Sequence, residues 1–220
     1  GTAWGQVTCL SDLANYDLSK QMFRIKSTTA ESMYLTVVST EGTDVNAGGI
    51  QIKAKEDNSN AQAFFLVPTD EEATYKFKTI DGYYLQSFGA WGYKASANDN
   101  ADSKHVIEEV EESVFNLKSS KGYVGTNNGA TSEGSHLYSN HDSGKQNIKW
   151  AFEPLDAEES TAIITVVLTQ KKNEYAAWKA EMIEGDNLGE YTIDHDALDA
   201  AEEELSSATT ISAVIDPIEK

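Results

Sequence analysis

The segment Tyr75-Lys76-Phe77-Lys78 is followed by the turn Asp81-Gly82 and then by Tyr84-Leu85. Its first four residues alternate between aromatic or apolar and polar side chains, which is typical of a half-buried β-strand. Asp-Gly tolerates the positive φ angles that a tight turn between paired strands requires. The segment therefore predicts two consecutive strands joined by a turn.

The same order of aromatic, polar, apolar and lysine residues occurs twice more, as Phe23-Arg24-Ile25-Lys26 and Phe115-Asn116-Leu117-Lys118. In each copy three further short runs follow, which we interpret as a second strand, a third strand and a closing strand. The second strands contain Tyr34-Leu35, Tyr84-Leu85 and Tyr123-Val124; the third are Ile50–Ala54, Trp91–Ala95 and His136–Ser139; the closing strands are Phe64–Pro68, His105–Glu109 and Trp150–Pro154. Three units of four strands predict about twelve strands with a threefold pseudo-repeat.

This pattern resembles the β-trefoil proteins, in particular the ricin-type, lectin-like group, whose units end on Gln-x-aromatic. Gln62-Ala63-Phe64 matches that signature, Ile148-Lys149-Trp150 keeps only its aromatic residue, and Ser103-Lys104-His105 keeps neither. The resemblance covers roughly residues 20–155 and implies a β-trefoil whose units can each carry a shallow sugar site. Another sandwich or barrel of about a dozen short strands is the alternative. We expect His105 to be half-buried on its closing strand.

The composition changes near Leu155, which predicts a second domain. Residues 156–220 contain 4 basic and 16 acidic side chains, against 13 and 20 in residues 1–155. Apolar residues at spacings of three and four predict a helix from Ala157 to Ile183, stopped by Gly185-Asp186-Asn187. The apolar residues at these spacings, which form a stripe along the predicted helix, are Ile164, Leu168, Tyr175, Trp178 and Met182.

A second helix is predicted to start at Asp194, which can cap it. Asp216-Pro217 predicts the start of a third helix, so we expect the natural protein to continue beyond Lys220. The predicted fold is therefore mainly β plus α: an N-terminal segment at 1–19, a β-trefoil at 20–155, and a helical hairpin or partial three-helix bundle at 156–220.

Composition and charge exclude several functions. The formal net charge is −19, which disfavours nucleic acid and anionic membranes as partners. The single Cys9 excludes an intrachain disulfide, and no apolar run is long enough to span a bilayer. The small residues of Gly1–Gln6 suggest either the end of a secretory signal or a cloning remnant. On the first interpretation the protein is exported, to the cell surface, the periplasm or the medium.

The sequence contains no recognisable catalytic motif. None of the four histidines forms a metal-binding pair at helical spacing, and neither a Gly-x-Ser-x-Gly elbow nor a phosphate-binding loop is present. His136, His141 and Asp142 form the best candidate metal cluster, but a polar loop is the simpler interpretation. We therefore predict no enzymatic activity in this chain, no cofactor and no metal; the prediction does not extend to an enzyme domain outside it.

A sugar site requires an exposed aromatic face beside amide or carboxylate side chains. The third unit offers the best set, which is Asn127, Asn128, Tyr138, Asn140, Asp142 and Asn147. The second unit offers Gln86, Trp91, Tyr93 and Asp102, with Asp99 nearby. At least one of Trp91 and Tyr93 is expected in the core, and Asn127-Asn128-Gly129 is also typical of a simple turn.

These residues predict a carbohydrate-binding, lectin-like module of an exported bacterial protein, with a neutral rather than an acidic glycan as ligand because like charges repel. The alternative is a structural or protein-interaction module without a sugar site, which acts as a spacer or accessory domain. For that alternative we expect an exposed apolar patch around Tyr175 and Trp178.

Overall fold

The computed structural model describes residues 6–207, and in this part of the chain twelve strands precede two helices. The strands of the first repeat are β1 (Met22–Ser27), β2 (Met33–Val37), β3 (Ile50–Ala54) and β4 (Phe64–Pro68). Those of the second are β5 (Thr74–Lys78), β6 (Tyr84–Phe88), β7 (Gly92–Ser96) and β8 (Lys104–Glu111). Those of the third are β9 (Val114–Lys118), β10 (Tyr123–Thr126), β11 (Leu137–His141) and β12 (Lys149–Pro154). The predicted twelve strands are confirmed.

Six strands close into a barrel, because the first and fourth strands of every repeat pair antiparallel around a ring. The ring order is β1, β4, β5, β8, β9, β12 and back to β1. The remaining strands form one hairpin per repeat, β2–β3, β6–β7 and β10–β11. Bridges join the hairpins to one another, from Gly49 to Lys94 and from Gln51 to His136. This is the predicted β-trefoil.

The repeated lysines have a structural role on the outside of the barrel. Lys26, Lys78 and Lys118 pair in register with Tyr34, Tyr84 and Tyr123 of the following strand. Their ammonium groups lie 5.9, 5.6 and 5.8 Å from the ring centroids. These distances are within the range of a cation–π contact, so the same contact is repeated in each unit.

His105 is fully buried, so the prediction of a half-buried residue was wrong. It occupies the position of Phe64 and Trp150 in the other repeats, and its ring packs edge-on to Phe77 at 4.8 Å. Burial lowers its pKa to about 4, so the ring is neutral. Nδ1 then donates to the Ser103 carbonyl at 2.9 Å, and Nε2 accepts from the Tyr93 hydroxyl at 2.8 Å.

The Gln of the closing signature is a structural residue in the first repeat. The Gln62 amide donates to Thr36 Oγ1 at 3.0 Å and to the Ala54 carbonyl at 2.9 Å. Its oxygen accepts from the Glu56 amide at 2.9 Å. The side chain therefore ties the closing strand to the hairpin of its own repeat.

The second repeat makes the same connection with the two partners exchanged. Gln86 stands where the first repeat has Thr36, and Ser103 stands where it has Gln62. The Gln86 amide donates to Ser103 Oγ and to the Asn98 carbonyl, both at 3.0 Å. The second repeat lacks the glutamine of the closing signature, and Gln86 on β6 makes the equivalent hydrogen bonds instead.

The exchange predicts a stability effect. Replacing Gln86 with threonine should lower the free energy of unfolding by about 2 kcal/mol. It leaves the Asn98 carbonyl without its donor and leaves the buried Ser103 hydroxyl with only the Asn100 backbone N–H as donor. Adding Ser103→Gln recreates the pair of the first repeat and should recover most of the loss. Urea unfolding of both variants measures this; a double variant no more stable than Gln86→Thr would contradict it.

The chain divides into two compact units between Ser160 and Thr161. The helices are α1 (Ala157–Asn187) and α2 (His195–Ser206), and the first turn of α1 belongs to the first unit. In the second unit α1 pairs with α2, which confirms the predicted helical hairpin. The Tyr175 hydroxyl donates to the Leu198 carbonyl at 3.0 Å. Asp194 caps α2 as predicted, accepting from the Ala197 amide at 3.1 Å.

The predicted apolar stripe of α1 is wrong in part. Leu168 and Tyr175 are buried as predicted, whereas Ile164 and Met182 are only partly buried and Trp178 is 45% exposed. Ile163 and Val167, which were not predicted, are buried as well. The predicted third helix start at Asp216-Pro217 and the segment Gly1–Gly5 lie outside the described residues. Within residues 6–207 neither helix has the length and hydropathy needed to cross a bilayer.

Candidate functional site

An open groove with a volume of about 700 Å³ lies beside the third hairpin. All six residues that the sequence singled out in the third repeat line it, namely Asn127, Asn128, Tyr138, Asn140, Asp142 and Asn147. Thr29, from the turn between β1 and β2, lines it too. The groove therefore combines side chains of the third and first repeats.

A short turn after β10 presents the first two asparagines. Asn128 has a φ of 52° and Gly129 a φ of 70°, which are left-handed conformations that Asn and Gly adopt most readily. The backbone N–H of Asn127 donates to the His136 carbonyl at 3.1 Å and thereby closes the turn on the hairpin. The turn interpretation is correct, and the same turn brings both side chains to the groove.

Two side chains of the groove also hold its wall. The Asn147 amide donates to the Thr126 carbonyl at 2.5 Å, and His141 Nε2 donates to the Gly125 carbonyl at 3.1 Å. Burial lowers the pKa of His141, so its ring is uncharged at neutral pH. These bonds fix both side chains against β10.

The other polar groups of the groove are available to a ligand. Within residues 6–207 the side chains of Asn127, Asn128, Asn140 and Asp142 form no hydrogen bond to protein groups, and the Tyr138 ring is half-buried. Asp142 and Lys145 carry opposite charges, so the lining has no net formal charge. The groove can therefore offer an aromatic face together with several amide and carboxylate oxygens.

No sequence pattern identified Thr29, His141 or Lys145 as groove residues. Thr29 lies about a hundred residues before the third hairpin in the chain, and only closure of the barrel brings the two together. His141 was considered as a metal ligand with His136 and Asp142. No cluster of three or more His, Cys, Asp or Glu suited to a metal occurs in the described part of the chain.

Two candidates of the second repeat were wrong, because they belong to the core. Tyr93 has no exposed surface and pairs with Ser87, at the position that Ile50 and Leu137 occupy in the other repeats. Gln86 is 3% exposed and bonded to Ser103. Neither side chain can reach a ligand at the surface.

The other two candidates of that repeat lie at the surface in different contacts. Trp91 is 37% exposed, and its indole N–H donates to Asn46 Oδ1 at 3.1 Å. Asp102 accepts from the Ser120 hydroxyl at 2.7 Å. The position of Tyr138 is taken by Lys94 in this repeat, with its ammonium 4.9 Å from the Phe88 ring centroid. An equivalent aromatic site is thus absent from the second hairpin.

Known structures share the fold of the first unit. A designed threefold-symmetric protein, ThreeFoil, matches with a TM-score of 0.52 and 16% identity over 61% of this chain and 99% of its own. A mosquitocidal holotoxin matches with a TM-score of 0.54 and 20% identity over 63% of this chain and 17% of its own. The cytolethal distending toxin of Haemophilus ducreyi matches with a TM-score of 0.52 and 15% identity over 64% of this chain and 88% of its own.

These likenesses show a β-trefoil. No protein-family model matches the sequence, and no curated protein matches it either.

Proposed function

We propose that this protein is a non-catalytic carbohydrate-binding module that takes a neutral glycan in the groove of the third repeat. The observation that carries the proposal is the convergence of Tyr138 with amide and carboxylate side chains around one open groove. Those residues come from β11 and from the loops that follow β10 and β11.

The chemistry of the lining suits a sugar. A half-buried tyrosine ring can cover the C–H face of a pyranose, while amide groups both donate to and accept from hydroxyls. Asn128 and Asn140 are exposed and have unused donors and acceptors among the described residues.

The charge distribution supports a neutral ligand. The groove has one acidic and one basic side chain, and the whole chain has a net charge of −19. An acidic glycan would approach against that field without a cluster of basic residues to bind it. We further propose that the module acts within a larger exported protein; the holotoxin, of which only 17% is matched, also contains this fold as a part of a longer chain.

The test is a glycan array followed by calorimetric titration of the best neutral glycan. Tyr138→Ala should weaken binding at least about tenfold, since a stacked ring of a binding site contributes more than about 1.4 kcal/mol. The double variant Asn140→Ala, Asp142→Ala should have a similar effect.

Asp57→Ala, in an exposed loop of the first repeat, is the matched control and should bind like the wild type. Trp91→Ala separates this groove from the exposed tryptophan of the second repeat. Binding that survives Tyr138→Ala and is lost in Trp91→Ala would contradict the assignment to the third repeat.

A protein-interaction role is the second candidate, favoured by exposed apolar side chains in the helical unit. Trp178 and Leu188 are both exposed there, and the Trp178 ring lies 5.6 Å from that of Tyr175. If the folded protein bound no glycan on the array, this role would be favoured.

A further inference from the structure

A second groove, with a volume of about 620 Å³, lies between the N-terminal segment of the trefoil and the start of β5. It shares no residue with the groove of the third repeat. Its lining is mainly aliphatic and aromatic, and includes Leu10, Leu18, Tyr16 and Tyr75. The proposed sugar site does not account for it.

The floor of this groove is part of the packed core. Tyr16 lies edge-to-face on Phe23 at 5.2 Å, and Leu13 in the same lining is buried. Burial raises the pKa of both Tyr16 and Tyr75, so their hydroxyls stay protonated as donors. Neither hydroxyl bonds to another group within residues 6–207. The groove is therefore a preformed apolar surface with two donors that a ligand could use.

The rim of the groove is acidic. Asp17 and Glu72 line it, and none of its described lining residues is basic. The Glu109 carboxylate lies against it as well, where it accepts a hydrogen bond from the Leu10 amide. On the adjoining strands Lys76 and Lys104 are paired with Asp99 and Glu71. Hydrogen bonds from Ser19 and, more weakly, the charge of Lys20 lower the pKa of Asp17. Within residues 6–207 neither Asp17 nor Glu72 forms an ion pair, so both carboxylates can pair with a cationic ligand.

These observations separate the possible occupants by their chemistry. Among the described residues the lining has no amide side chain, which a sugar would need for its hydroxyls. A second copy would bring the same net charge of −19 to the contact. A segment with apolar side chains between lysines or arginines fits both the apolar floor and the acidic rim.

We propose that this groove docks a basic, apolar-anchored peptide segment of a protein partner. The apolar side chain of the segment packs between Tyr16 and Tyr75, and its flanking cations pair with Asp17 and Glu72. The inference is independent of the proposed glycan site.

The experiment uses the whole chain and three eight-residue peptides. One alternates lysine with leucine, the second alternates lysine with serine, and the third alternates glutamate with leucine. Fluorescence anisotropy measures binding, and amide chemical shifts in NMR spectra locate it. Only the lysine–leucine peptide should bind, with shifts concentrated in residues 10–18 and 72–75.

Two groove variants and a charge-matched control test the assignment. The double variant Asp17→Asn, Glu72→Gln should weaken binding of the lysine–leucine peptide about tenfold, whereas Glu41→Gln, Asp57→Asn removes the same charge elsewhere and should change it less than about twofold. Leu18→Ala should weaken binding while leaving the salt dependence unchanged, and thermal unfolding checks that it folds.

Three results would overturn the proposal. They are equal binding of the lysine–serine peptide, equal loss in both charge variants, and no binding of the lysine–leucine peptide. The first two would mean that the acidic chain attracts any cation, and the third that the groove docks no such segment.

Discussion

Replacing Glu159 with leucine should lower the free energy of unfolding of the trefoil by about 3 kcal/mol. Arg24 on β1 is 3% exposed, and its Nη1 donates to Glu159 Oε2 at 2.5 Å. Its Nε and Nη2 are buried without a hydrogen-bond partner among the described residues. The carboxylate is therefore the main compensation for this buried charge, and leucine would remove it.

A double-mutant cycle separates the charge from the packing. Arg24→Met should cost less than about 1 kcal/mol, because it also removes Nε and Nη2, two buried nitrogens whose hydrogens have no acceptor. The double variant Arg24→Met, Glu159→Leu should be close to the wild type, since a buried ion pair replaced by apolar residues is often neutral. Urea unfolding followed by near-ultraviolet circular dichroism measures all three.

Lys55→Ala is the control for surface charge. Lys55 Nζ lies 3.7 Å from the same carboxylate, but its side chain is 44% exposed. Its loss should cost less than about 0.5 kcal/mol. If the double variant were as unstable as Glu159→Leu alone, the loss would come from packing of the first turn of α1 and not from an unpaired charge.

The second large effect is a loss of trefoil stability as the pH falls from about 6.5 to about 4. In the folded chain the pKa of His105 is about 4, against 6.5 for an unperturbed histidine, because burial penalises the imidazolium. The unfolded state therefore binds a proton that the folded state rejects, and stability decreases as the pH falls through this window. A difference of this size corresponds to about 3 kcal/mol.

Other groups titrate differently. Asp12, whose pKa is about 2 because Thr8 and Cys9 donate to its carboxylate, contributes stability above pH 3.8 that is lost only as the pH falls towards 2. The lowered pKa of His141 adds a contribution of the same sign as that of His105. Most of the pH dependence between 4 and 6.5 should therefore come from the buried histidine.

The variant His105→Phe tests this directly. It should remove most of the pH dependence, but it leaves the Tyr93 hydroxyl without its acceptor at a cost of about 1–2 kcal/mol at pH 7. The double variant His105→Phe, Tyr93→Phe removes that hydroxyl as well and should recover stability. Denaturant unfolding at pH 4.5 and 7 measures both; a double variant with the wild-type pH dependence would assign the titration to another group.

Much of the architecture follows from local patterns. Alternation of side chains, the turn residues and the position within each repeat together identify the strands, because only the apolar face of a strand can enter a core. The capping aspartate at 194 identifies the start of α2 for a similarly local reason, since it bonds to an amide three residues away. The repeat of four strands predicts the closed barrel once the threefold pattern is recognised.

The candidate site was predictable only where a hairpin builds it. Asn127, Tyr138 and Asn140 lie within one hairpin and its turn, so their sequence positions already imply that they are close. In the second repeat the pattern of aromatic and polar residues predicted Tyr93 and Gln86 as surface ligands for a sugar, whereas both are buried. Alternation alone does not tell which of two faces is buried, and a shift of one residue reverses the answer.

The number and order of the strands, the threefold repeat, the helical hairpin and the acidic character of the chain thus all follow from the amino-acid sequence alone. Tertiary structure decided which polar residues are buried, because burial depends on partners far away in the chain. Arg24 pairs with Glu159, which is 135 residues further along the chain. Thr29 lines the third-repeat groove although it precedes the third hairpin by about a hundred residues. Closure of the barrel sets these distances, and no local pattern encodes them.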